Sequence, residues 1–172
     1  MHEARRFLSI PLLSLSISMS AAVWGGETIK ASYKDGVTLA ITIDPFDAKA
    51  HATKKCGDYV CLIDGKPFYG SDGAVPKYAV SRLVFEKNGK QTALDVSSMY
   101  DPWIDSESMK RSFSVDSSEY SGGGSFSRIT GYFSDGAGAY VCQWLVIMDG
   151  AIRNHISNSE ELGELTSQLN NK

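Results

Sequence analysis

Histidine is scarce in this chain: three in 172 residues, of which His2 precedes an apolar leader. An imidazole-based centre therefore has only His51 and His155 to draw on. A Cys–His hydrolase needs a thiolate beside an imidazole and a third group that orients the base. Cys142 and His155 stand near one another in sequence, but Cys142 lies in "AYVCQWLVIM" (Ala139–Met148), where apolar surroundings raise a thiol's pKa and make it inert. No catalytic-cysteine signature surrounds it. Charge of one sign is lacking too: Lys and Arg total 17 against 20 Asp and Glu, a formal charge of −3. That excludes the basic footprint of a nucleic-acid binder and attraction to anionic membrane surfaces. The glycine runs "SGGGS" and "DGAGA" carry no Lys with Ser/Thr to cradle phosphate, so they read as turns. No cofactor and no metal site is expected.

Long apolar runs are also missing. The longest, Phe7–Met19, is uncharged but Ser-rich, and short of the roughly 20 residues of a membrane span. With Arg5 and Arg6 before it and Ser20, Ala21 and Ala22 after it, it is a secretory signal peptide, residues 1–22, cut after Ala22. Residues 23–172 then form a single β-rich domain in the periplasm. Loss of Arg5, Arg6 and Glu3 makes that domain one unit more negative than the whole chain. Its length supports one hydrophobic core. Cysteine is sparse, with Cys56, Cys61 and Cys142. Export favours pairing, and an odd count predicts one disulfide and one free thiol. A local Cys56–Cys61 bridge and a cross-link from Cys142 to either both fit. In an exported chain the disulfide outweighs a metal reading of His51, Cys56 and Cys61.

What the chain does have is hairpin punctuation. Asp35-Gly36, Asp64-Gly65, Asn88-Gly89, the Asp135–Gly138 run and Asp149-Gly150 each separate two strand-like runs, and such turns need positive φ at their central residues. The pattern predicts a mainly β fold, an antiparallel meander forming a sandwich or open barrel. "AYVCQWLVIM" is expected as a central strand buried on both faces. Ser157 with Glu160 three residues on predicts a capping box. Leu162, Leu165 and Leu169 then give a short C-terminal α-helix, weakened by Gly163.

One connection stands out. "SSMYDPWIDSESMKRS" (Ser97–Ser112) is too long for an ordinary turn and too aromatic for a disordered segment. Tyr100, Pro102, Trp103 and Ile104 are expected to anchor its base. The polar tip, Asp105, Ser106, Glu107, Ser108, Met109, Lys110 and Arg111, is expected to project for a protein partner. Phe68–Tyr78 and Ser117–Ser125 are further candidate recognition loops.

The exported β scaffold and the runs "DGKPFYGSDGAVPK" (Asp64–Lys77) and "LDVSSMYDPW" (Leu94–Trp103) resemble a periplasmic immunity protein of bacterial type VI secretion, of the kind paired with a peptidoglycan amidase effector of cysteine-peptidase fold. The resemblance implies a protein that is not an enzyme. Its partner would be the amidase, blocked by a loop, here Asp101–Ser112, whose serine hydrogen-bonds the effector's catalytic histidine. Ser108 is the match and Ser106 the alternative. Tyr100, Asp101, Trp103, Asp105, Ser106, Glu107, Ser108, Met109, Lys110 and Arg111 are the expected partner-binding residues. Two other functions fit the sequence. A periplasmic lysozyme inhibitor would rely on a basic loop residue against two carboxylates. A small-ligand-binding β-barrel would use Phe68, Tyr69, Trp103 and Trp144.

Overall fold

The structure is a computed structural model that describes residues 26–119, 124–148, 150–158 and 160–162. The leader, Ser121–Gly123 of the glycine loop, and Gly163, Leu165 and Leu169 lie outside the described residues. Ten strands form two four-stranded antiparallel sheets and a separate hairpin. The first sheet has the order β1-β2-β5-β6, with β1 Glu27–Ser32, β2 Val37–Pro45, β5 Tyr78–Lys87 and β6 Lys90–Leu94. The second has the order β10-β9-β8-β7, with β7 Phe113–Glu119, β8 Ser125–Phe133, β9 Tyr140–Ile147 and β10 Gly150–Asn158. β3 (Thr53–Cys56) and β4 (Tyr59–Ile63) pair only with one another. The fold is a β-sandwich meander and not a closed barrel. Among the described residues no helix is long and apolar enough to cross a membrane.

Period-two burial builds the core. Val37, Leu39 and Ile41 of β2 are fully buried, facing Ile129, Cys142 and Trp144 from the other sheet in one cluster. A bulge changes the phase of β5: Thr42 pairs with Arg82 but Ile43 with Val80, leaving Ser81 unmatched. Val80 and Leu83 therefore both point inward although three positions apart. β9 is central, as its composition predicts, but only one face is fully covered. Tyr140, Cys142, Trp144 and Val146 are buried; on the other face Val141 is buried, Gln143 and Leu145 are half-buried and Ile147 is exposed. Cover on the outer row therefore falls away from Val141 toward Ile147.

The turns follow local chemistry, with shifts. Asp35-Gly36, Asp64-Gly65 and Asn88-Gly89 have positive φ at both positions. Gly150 instead pairs with Ile147 and starts β10, so the last hairpin turns between these two residues, with Met148 at φ 54°. After Asp64-Gly65 the expected strand over Lys66–Gly70 makes only isolated bridges, Lys66 to Ile63 and Tyr69 to Met99, and Pro67 has no N–H to extend the ladder from Ile63. β4 pairs with β3 instead. Ser117–Glu119, expected as loop, belong to β7. At the C-terminus Ser157 is still in β10, its hydroxyl 2.8 Å from His155 Nε2. The helical turn at 160–162 is capped one residue later, by Asn158 Oδ1 accepting from Glu161 N at 2.8 Å.

The register sorts the connections by end. The tight turns after β1 and β5, the start of β8 and the β9 end at Met148 gather at one end. The long connections, 46–77, 95–112 and 134–139, gather at the other. One seam between the sheets is stitched where β6 meets β10: the Arg153 guanidinium bonds Ser97 O and Oγ and lies 3.3 Å from Asp95 Oδ2, and Trp144 Nε1 donates to Asp95 O. The opposite seam, between β1 and β7, is filled by the 101–112 loop and its single helical turn α1 (Met109–Ser112), which packs on β1, β7 and β8.

Candidate functional site

The candidate site lies at the long-connection end, on the loop after β6. Its base is fixed by backbone bonds. Tyr100 N donates to Tyr69 O, Asp101 N to Tyr78 O, and Ser134 N to Pro102 O, each at 3.0 Å. The Asp101 carboxylate folds back and accepts from Lys77 N at 3.0 Å and Tyr78 N at 2.8 Å. Tyr140 Oη adds a bond to Tyr100 O at 3.2 Å. The backbone passes so close to its neighbour that a Cβ on Gly70 would strike the Tyr100 carbonyl oxygen, and Gly70 also sits at φ 107°. Only glycine fits there.

These restraints hold two residues in left-handed backbone, Asp101 at φ 37° and Trp103 at φ 50°. A bulky residue at positive φ costs of order 1–3 kcal/mol and persists only where its surroundings over-determine it. The consequence here is direction. Pro102 and Ile104 point into the molecule and are buried, while Trp103 between them stands 68% exposed. Tyr78, on the strand end that Asp101 clamps, is 49% exposed. Tyr100 is half-buried, its ring edge-on to both Phe46 and Phe68. Burial, then the nearby Asp64 charge, raises its phenol pKa.

The polar tip is a compact turn. Asp105 Oδ1 accepts from Glu107 N at 2.9 Å, Ser108 N at 2.7 Å and Ser108 Oγ at 2.8 Å. Ser108 Oγ in turn accepts from Asp105 N at 2.9 Å. These reciprocal bonds are those of a capping box, and those from Ser108 are the main cause of a lowered Asp105 pKa. The Ser108 hydroxyl is thus engaged within its own turn. Ser106 and Glu107 are exposed, and the Ser106 hydroxyl has no partner among the described residues.

Placement of the expected partner-binding residues is therefore uneven. Trp103, Asp105, Ser106, Glu107, Lys110 and Arg111 share the exposed surface, with Asp101 at its edge. Met109 does not: its side chain is 0% exposed in the core, and Tyr33 Oη donates to its carbonyl at 3.0 Å. An apolar residue in the first turn of α1 has the seam between β1 and β7 beside it and fills it. Tyr78, expected to begin a strand and to end the second candidate loop, is an exposed aromatic of this surface. Its signal is register, since it begins β5 opposite Pro45, and register is a long-range property.

A groove of about 710 Å³ runs beside Trp103. Ile43, Pro45, Tyr78, Pro102 and Ile104 wall it with Trp103, and Glu27, Asp101, Asp105 and Lys77 supply its charges.

The alternative centres considered from the sequence do not assemble. Cys142 points into the core, and burial pushes its thiol up to about 12. His155 pairs with Gln143, on the outward row of the sheet, so thiol and imidazole lie on opposite faces. Cys56 and Cys61 form the disulfide, which settles the pairing and leaves Cys142 free. Phe68, Tyr69, Trp103 and Trp144 do not line one pocket: Trp144 is in the core and Trp103 outside it. Among the described residues no group of three or more His, Cys, Asp or Glu could hold a metal ion. Neither a family model, nor a curated protein, nor a solved structure matches the chain.

Proposed function

We propose that this protein is an exported inhibitor of the immunity type, which binds a type VI secreted peptidoglycan amidase in the periplasm and covers its Cys–His cleft with the Trp103–Arg111 surface. The observation that carries the reading is Trp103: an indole two-thirds exposed on a backbone pinned at positive φ. A residue left in solvent at a backbone cost is accounted for when a partner covers it. The leader-like segment Arg5–Ala22 and a disulfide of the kind an oxidising compartment favours support the periplasm, and the resemblance noted above supports the target. Ser106 is the hydroxyl free to meet an imidazole, since Ser108 is spent on the Asp105 turn. A hydroxyl there can donate to or accept from the ring nitrogen that activates the thiol.

Calorimetry and wall-hydrolysis assays against a panel of Cys–His peptidoglycan amidases test this, with lysozymes as the comparison arm. One amidase should be inhibited through an interface of roughly 1,600 Å². Trp103→Ala should weaken that complex at least about tenfold, as truncation of a central aromatic anchor does, with no change in Tm. Inhibition of lysozymes alone, or an amidase complex indifferent to both Trp103→Ala and Ser106→Ala, would refute the proposal.

A further inference from the structure

Beside the loop tip, the groove has its own chemistry. Its walls are apolar, from Ile43, Pro45, Tyr78, Pro102, Trp103 and Ile104, and its volume of about 710 Å³ lies in the range of specific binding clefts. Its charged lining is mostly acidic: Glu27, Asp101 and Asp105 against Lys77, with Arg111 near enough to Asp105 to act on its carboxylate. Asp101 and Asp105 are held in place by the backbone bonds they accept, and each still has lone pairs to offer. The surface is set before anything arrives, which reduces the ordering cost of binding.

We propose that this groove receives a cationic–apolar segment of the partner protein, one apolar side chain against Trp103 and Tyr78 flanked by Lys or Arg facing Glu27, Asp101 and Asp105. The inference rests on the inhibitor reading above and adds the chemistry of the partner's contacting segment. Complementary charge selects the sign of the flanking residues. The apolar walls select a peptide over a glycan, whose hydroxyls would find few partners on Ile43, Pro45 and Ile104.

The test uses N-acetylated, amidated tripeptides as probes on the chain that begins at Val23, followed by NMR. Lys-Leu-Lys should shift the Trp103 indole N–H and the Tyr78 and Glu27 amides with an affinity of order millimolar. Glu-Leu-Glu should not. Binding should weaken several-fold at high salt, and Glu27→Lys should weaken it about tenfold, while Glu27→Gln gives a smaller loss. Equal shifts by the two peptides, or shifts remote from Trp103, would overturn the proposal. So would tighter binding of chitotetraose at the same resonances, which would make the groove a glycan site. Lys-Leu-Lys binding to a chain begun at Gly26 but not at Val23 would also overturn it, naming the chain's own amino terminus as the occupant. The amidase arm keeps the two proposals apart. An amidase complex unaffected by Tyr78→Ala and Glu27→Lys removes the groove but not the inhibitor. Peptide binding with no amidase bound by any route removes the inhibitor reading and keeps the groove.

Discussion

Ser106 and Ser108 are two residues apart and do opposite things. Ser108 spends its hydroxyl on closing the Asp105 turn, so Ser108→Ala should lower Tm by about 2–4 °C, the loss expected for one net hydrogen bond in a chain of this size. Ser106→Ala should leave Tm unchanged and act only on the partner complex. Thermal unfolding of the two variants checks both, and equal shifts would contradict the division of roles. A third residue, Asp64, pins the start of β3: its carboxylate takes the His51 imidazole at 2.6 Å and Ala52 N at 2.8 Å. The His51 bond, then the Ala52 bond, holds its pKa below the ordinary 3.8. A folded pKa below the unfolded one gives stability that is complete above the unfolded value and is lost as pH falls through the folded value. Amide exchange at Ala52 and along β3 should therefore accelerate below about pH 4, and Asp64→Asn should remove that acid step.

At the scale of the element, the 101–112 loop is a wedge as much as a display. Met109 of α1 closes the seam between β1 and β7 while Ile104 and Pro102 are buried behind it in the chain, and Trp103 between those two is exposed. Met109→Ala should cost about 2–5 kcal/mol, the range for emptying a core site of this size, measured by denaturant unfolding. A cost below about 1 kcal/mol would mean the wedge is a surface feature. The sequence spoke plainly where structure is local. Asp35-Gly36, Asp64-Gly65 and Asn88-Gly89 announce their turns because positive φ is a property of those residues alone. The loop's length and its aromatic base were equally legible. The direction of each side chain was not, for Pro102, Trp103 and Ile104 are all apolar and long-range bonds, from Asp101 to Lys77 and Tyr78 and from Ser134 to Pro102, decide which one turns outward. The turn expected at Asp149-Gly150 was misplaced because Gly150 is claimed by pairing with Ile147, and β7 was missed because "FSVDSSE" is polar enough to read as loop. Both depend on partners far away in sequence.

At the scale of the whole molecule, the β3–β4 hairpin belongs to neither sheet, and every residue of β3 is exposed. Its attachments are few: Val60 and Ile63 are buried, Val60 N bonds Gly73 O, and the His51–Asp64 contact holds its base. The Cys56–Cys61 bridge joins residues only five apart, so by loop-closure entropy it contributes about 2 kcal/mol, toward the low end for disulfides. That contribution serves the hairpin more than the sandwich, whose core runs through β2, β5, β8 and β9 with no residue from β3 or β4. Two levels of stability follow. In the double variant Cys56→Ala/Cys61→Ala, amides of β3 and β4 should lose exchange protection while those of β2 and β9 keep theirs. Global unfolding should become easier by no more than about 2 kcal/mol. The buried Cys142 thiol, its pKa near 12, should stay closed to alkylating reagents in that variant until the sandwich itself opens. Rapid Cys142 labelling on loss of the bridge would mean that hairpin and core unfold as one unit, and that the hairpin holds the end of the sandwich on which Trp103 stands.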